Sequence, residues 1–209
     1  VSTQIANHLA KGGLTGGELV VVMAGGNDVF SNLDTVGVTT TPEQAATAMA
    51  TAGAELATLV KTQLIAKGAK YVVVVNLPNV SITPSTLAAD AAVPGSRALT
   101  DAVTKAFNGQ LAAGLAGVAG VVQVDAYAQS TDQAANPASY GLTNVTVPAC
   151  SSTSALNPLP GYSLTCSTAS TVPGDVSHYQ YADGVHPTPF AHSLLARLVS
   201  RDMARVGWL

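Results

Sequence analysis

The sequence predicts an open α/β domain, a mostly parallel sheet with helices on both faces. Three observations carry this. Leu19–Met23, Tyr71–Val75 and Val121–Val124 are short apolar runs rich in β-branched residues and bounded by glycine or polar residues. Long stretches with apolar positions at three- and four-residue steps separate them. Each run also ends on polar residues, where open α/β sheets place their chemistry.

Taken in order, Ser2–Ala10 reads as the end of a helix, with Ile5 and Leu9 four apart and Gly12-Gly13 as its stop. Leu19–Met23 is expected to be a fully buried strand. Thr41-Pro42 then opens a helix, with Thr41 as N-cap and Pro42 at the first helical position, running to Lys67 and stopping at Gly68. Tyr71–Val75 is a second buried strand, and the Pro- and Asn-containing stretch after it reads as a loop. Residues 95–118 form a helix whose apolar positions Ala98, Val103, Ala106, Phe107, Leu111 and Leu115 repeat at three- and four-residue steps. Val121–Val124 leads through Asp125 into a helix over 126–134. From Asn136 to Tyr181 the chain reads mostly as loop. The tail from Thr188 to Met203 is amphipathic, with Leu194, Leu195, Leu198 and Val199 inward and Arg197 and Arg201 outward. Three strands are few for a doubly wound domain of this length.

The 209 residues suffice for a single domain spanning 1–209. Net charge is −3 with no basic run, so a nucleic-acid partner is not expected. No apolar stretch is long enough to be a transmembrane segment. Cys150 and Cys166 lie in a Ser-, Thr- and Pro-rich tract. Paired, they close a loop of about 15 residues worth about 3 kcal/mol; two buried thiols are the alternative. The polar setting favours the disulfide and an oxidising, secreted or periplasmic location. The opening residues, without Met or a leader pattern, suit a cut or mature product.

Two stretches offer chemistry. Gly25-Gly26-Asn27-Asp28 follows the first strand, and the Asn27 amide there suits an oxyanion donor; a simple turn whose Asn and Asp bond their own backbone is the plainer reading. Asp183 and His186 lie three apart, with Gly184 between them and Pro187 directly after. A carboxylate on one imidazole nitrogen would fix the tautomer and free the other as a general base, and Thr188 would cap the last helix. An exposed histidine in a helix-leading turn is the alternative. Asn76, Asn79 and Asp125 are further polar groups after strands, Asp125 reading chiefly as a helix cap. His8 has no evident partner, His178 reads as a surface residue and His192 as packing or surface. One Asp and one His supply too few ligands for a metal site, and no cofactor is expected.

Together, "AGGNDVF" and "DGVHPT" resemble the third and fifth blocks of the GDSL-type hydrolases, the SGNH superfamily, in its secreted bacterial esterase and lipase branch. "VSTQIANHLA", "YVVVVNLPNV" and "VVQVDAY" fit the same branch in order. The resemblance implies a three-layer α/β/α sandwich and hydrolysis of an ester or lipid through a serine acyl-enzyme. His186 would be the general base, Asp183 its orienter and Asn27 an oxyanion donor. An acyltransferase with the same residues, or a noncatalytic binding protein, are the rival readings.

No Gly-Asp-Ser block occurs in the chain. The expectation is therefore a fragment of a cleaved precursor. Its partner would be a bound N-terminal fragment supplying the central first strand, the catalytic serine and a glycine of the oxyanion hole, and activity would require that fragment.

Overall fold

The structure is a computed structural model that describes all 209 residues. Three parallel strands form its sheet in the order β1-β2-β3: Leu19–Met23, Tyr71–Val75 and Val121–Val124. Leu19 pairs with Tyr71 and Val72 with Val121, so the strands stand almost level. All three have the bounds expected from the sequence, because β-branched runs flanked by glycine or polar residues leave little room for another register.

Burial differs between them. The central strand β2 is buried from Val72 to Val75. The edge strand β1 is not the fully buried strand expected: Val22 is buried, whereas Leu19, Val21 and Met23 are 47%, 55% and 48% exposed. A run of identical apolar character cannot tell a central strand from an edge strand, and here position in the sheet decides. An open groove of about 490 Å³ borders β1, lined by Ile5, Leu14, Leu19, Val21 and Met23 among others.

Helix α1 spans Ser2–Leu9 and buries no residue. Helix α2, Gly26–Leu33, follows β1 after two residues. Helix α3, Pro42–Leu59, starts with a capping box in which the Thr41 hydroxyl accepts from Gln44 N–H and the Gln44 side chain accepts from Thr41 N–H. The helical path continues to Lys67 as expected, but through a π turn at Val60–Leu64 and a 3₁₀ turn at Ile65–Lys67. Helix α4 is Pro84–Ala92, α5 Ser96–Leu115, α6 Ala126–Ala135 and α7 Pro189–Arg205. Of the repeating apolar positions expected on α5, Val103, Phe107, Leu111 and Leu115 are buried, whereas Ala98 is exposed and Ala106 half-buried. No helix is long and apolar enough to cross a membrane.

The chain divides into two compact units. One comprises Val1–Leu77, Leu99–Ala126 and Val199–Leu209, and contains the sheet with α1, α2 and α3. The other comprises Pro78–Ala98 and Tyr127–Leu198. Residues 136–181 are irregular, as expected, with short 3₁₀ turns at Pro137–Tyr140, Ser163–Thr165 and Thr168–Ser170. Cys150 and Cys166 form a disulfide across this stretch.

Candidate active site

In the first unit, Asn27 lies just beyond the carboxyl end of β1. The segment is a helix start rather than a self-bonded turn. Gly25 is the N-cap of α2, with φ of 111°, a conformation that suits a residue without Cβ. A side chain there is excluded twice, since a Cβ would come within 2.5 Å of the Phe107 ring. The first intrahelical bond runs from Val29 N–H to Gly25 O, so the N–H groups before Val29 point out of the helix start unused by it. Asn27 is exposed, and its amide makes no hydrogen bond within the protein. Donors and helix dipole are thus presented together to solvent.

The other strand ends are occupied structurally. Asn76, after β2, donates its side-chain amide to Asp125 Oδ1, after β3, at 2.9 Å. Asn79 is buried, and its Oδ1 accepts from the Ser81 N–H and hydroxyl.

In the second unit, Asp183 and His186 meet. His186 Nδ1 lies 2.8 Å from Asp183 Oδ2 and 3.0 Å from Oδ1. The turn between them is held by backbone. Val185 N–H and His186 N–H donate to Asp183 Oδ1 at 2.9 and 2.7 Å, and Ala182 N–H donates to His186 O at 2.8 Å. Gly184 permits a close packing contact, since a Cβ there would fall 2.1 Å from Ser85 Oγ. Thr188 caps α7 as expected, its Oγ1 accepting from Ala191 N–H at 3.1 Å.

The two partners differ sharply in exposure. The Asp183 side chain is 6% exposed and that of His186 66%. Burial alone would raise the Asp183 pKa. The donors outweigh it: Ser163, together with the backbone N–H groups of His186 and Val185, holds the carboxyl well below the usual carboxylate range. His186 Nε2 has no hydrogen-bond partner in the protein. The arrangement is therefore a fixed carboxylate, an imidazole oriented through Nδ1, and a second ring nitrogen open to solvent. That is the equipment of a general base.

Sequence reasoning missed the contribution of Ser163. Its backbone N–H donates to Asp183 Oδ2 at 2.9 Å from 20 residues away. No spacing rule reaches across a loop of that kind. The remaining histidines have other surroundings. His178 stacks on Phe190 with ring centroids 4.1 Å apart and its Nδ1 meets Gly141 O, His192 is exposed on α7, and His8 borders the groove beside β1.

The family model of the GDSL-like lipases and acylhydrolases matches residues 2–199. The chain belongs to that family. No curated protein matches it. The family match corrects the reading of the chain as a fragment of a cleaved precursor that works only with a second polypeptide. It opens at residue 2 and continues through nearly the whole chain, so membership rests on this polypeptide and not on a bound N-terminal fragment. The expected first strand from such a fragment, and the fragment as partner and carrier of the serine, fall with it. A three-residue motif that is not found weighs less than a match extending along the α/β order of the chain. The low strand count is accordingly no measure of a partner: the three strands pair with one another.

Proposed function

We propose that this GDSL-family chain hydrolyses carboxylic esters through a serine acyl-enzyme, with its catalytic groups on one polypeptide. The observation that carries the reading is the Asp183–His186 pair, with Nδ1 bound and Nε2 open. Nε2 takes the proton as a serine Oγ attacks the ester carbonyl, forming the Oγ–C bond and a tetrahedral oxyanion. Asn27 and the unused N–H groups at the start of α2 are the donors for that oxyanion. As the intermediate collapses, the C–O bond of the ester breaks and the imidazolium returns its proton to the leaving alkoxide. Water repeats the sequence on the acyl-enzyme, restoring the serine. Asp183, charged and immobile, stabilises the imidazolium at both stages. The Cys150–Cys166 disulfide supports action outside the reducing cytoplasm, in a secreted or periplasmic setting.

The nucleophile is the role to be assigned by experiment. Ser2, the one serine of α1, stands where the family match begins and is the first to substitute. The test is hydrolysis of p-nitrophenyl esters before and after treatment with a fluorophosphonate, followed by peptide mapping of the labelled protein. Loss of turnover with one phosphonate on a single serine is the expected result. An unlabelled protein that turns over no ester would overturn the proposal.

A further inference from the structure

The second unit contains a closed ring of connections around Asp183. Cys150 N–H donates to Ala182 O at 2.8 Å, one residue before Asp183. Cys150 is joined to Cys166 by the disulfide. Cys166 N–H donates to Ser163 O at 3.2 Å, closing a 3₁₀ turn, and Ser163 N–H returns to Asp183 Oδ2 at 2.9 Å. Inside the loop, buried Asn157 fixes the spacing: its side-chain amide donates to Tyr162 O at 3.1 Å, and its Oδ1 accepts from Leu159 N–H and the Thr165 hydroxyl. This local bonding ends on one carboxylate oxygen of Asp183.

We propose that the disulfide-closed loop from Cys150 to Cys166 is a positioning element for the Asp183–His186 pair, and that Ser163 is the positioning residue through which it acts. The Ser163 N–H donates to Oδ2, the carboxylate oxygen nearest to His186 Nδ1, and so helps to hold that oxygen where it meets the ring. Val185 and His186 N–H hold only Oδ1. Without Ser163, Oδ2 keeps the imidazole alone. The carboxylate then keeps its two backbone donors at Oδ1 but loses the one that fixes Oδ2, and the imidazole is directed less firmly. Of the two groups on Ser163, the hydroxyl does more to keep Asp183 charged, and the N–H is the one that bonds Oδ2 directly. This inference rests on the proposed hydrolase reading for its kinetic consequence, but the geometry at Asp183 is testable without it.

Ser163→Pro removes the N–H and the hydroxyl with little backbone cost. Ser163 opens its 3₁₀ turn, and Tyr162 before it has φ −98° and ψ 135°, the extended conformation that proline asks of its predecessor. Ser163→Ala keeps the N–H and removes only the hydroxyl. In S163P, kcat for p-nitrophenyl esters should fall about tenfold with KM unchanged, and in S163A by less. In parallel, the Asp183 carboxyl followed by carbon NMR should titrate at higher pH in S163P than in the wild type. The disulfide-free C150A/C166A protein supplies a second reading of both measurements and should shift in the same direction. Wild-type kcat and an unmoved Asp183 titration in S163P, or in C150A/C166A where S163P does not fold, would overturn the proposal. Equal losses in S163A and S163P would move the role to the hydroxyl and overturn the backbone assignment. A wild-type protein without esterase activity would defeat the hydrolase reading alone, because the NMR titration still decides the role of Ser163.

Discussion

Asp183 is kept charged by donors rather than by solvent, and the chemistry of His186 depends on that. Asn at position 183 would offer an NH₂ or a neutral oxygen in place of a carboxylate, so the D183N variant should lose on the order of 10³–10⁴ in kcat. His186→Ala should abolish turnover with little change in Tm, since the imidazole is largely exposed and its removal opens no cavity. Asn27→Ala should lower kcat by about 10²–10³, by the loss of one oxyanion donor. Its Tm should hold, because the Asn27 side chain makes no bond within the protein; thermal melts beside steady-state kinetics check all three. Asp183 also gives a pH signature in stability. Its carboxyl in the folded state lies below the unfolded value of about 3.9, so its contribution is fully present above about pH 4. As pH falls further, the unfolded chain takes up the proton first, and the contribution drains away through the folded pKa. Urea midpoints measured downward from pH 7 should therefore drop below about pH 4 in the wild type, and drop less in D183N.

Elements differed in how plainly the sequence announced them, and the reasons are local. The three strands were legible because Val-rich runs ended at glycine or polar residues, and α3 because Thr41-Pro42 with Gln44 spells out its cap. Helix α2 was hidden by its own start, since Gly-Asn-Asp has the composition of a turn and only the burial of Val29 and its bond to Gly25 reveal a helix. Helix α4 repeats the Thr-Pro cap of α3 at Thr83-Pro84, but a Pro- and Asn-containing stretch before it disguised the signal. The exposure of β1 could not be read at all, for it is a property of the neighbouring positions in the sheet. At the site, the Asp183–His186 contact followed from a short turn, whereas Ser163 depended on a cross-link 16 residues long and was out of reach. That cross-link is itself open to measurement. Replacing both cysteines by Ala should lower unfolding free energy by about 3 kcal/mol, read from urea denaturation.

On the scale of the whole molecule, Asn27 belongs to the unit with the sheet, and Asp183, His186 and Ser163 belong to the other unit. Within the first unit, core and site are joined by one ring. Phe107 is 2% exposed in α5 and lies directly against Gly25, the residue that starts the Asn27 turn. Phe107→Ala should cost about 3–5 kcal/mol and also lower kcat well below the melting temperature, because the turn loses its floor. Phe107→Leu should retain more of both; a variant with lost stability but unchanged kcat would separate core from turn. The contact between Gly25 and that ring also limits what engineering for heat tolerance can achieve. A bulkier residue at 107 pushes on the Asn27 turn, and any side chain at 25 meets both the ring and an unfavourable φ. Hardening this protein is better sought on exposed α1 beyond Ser2, where no residue is buried and helix propensity can be improved.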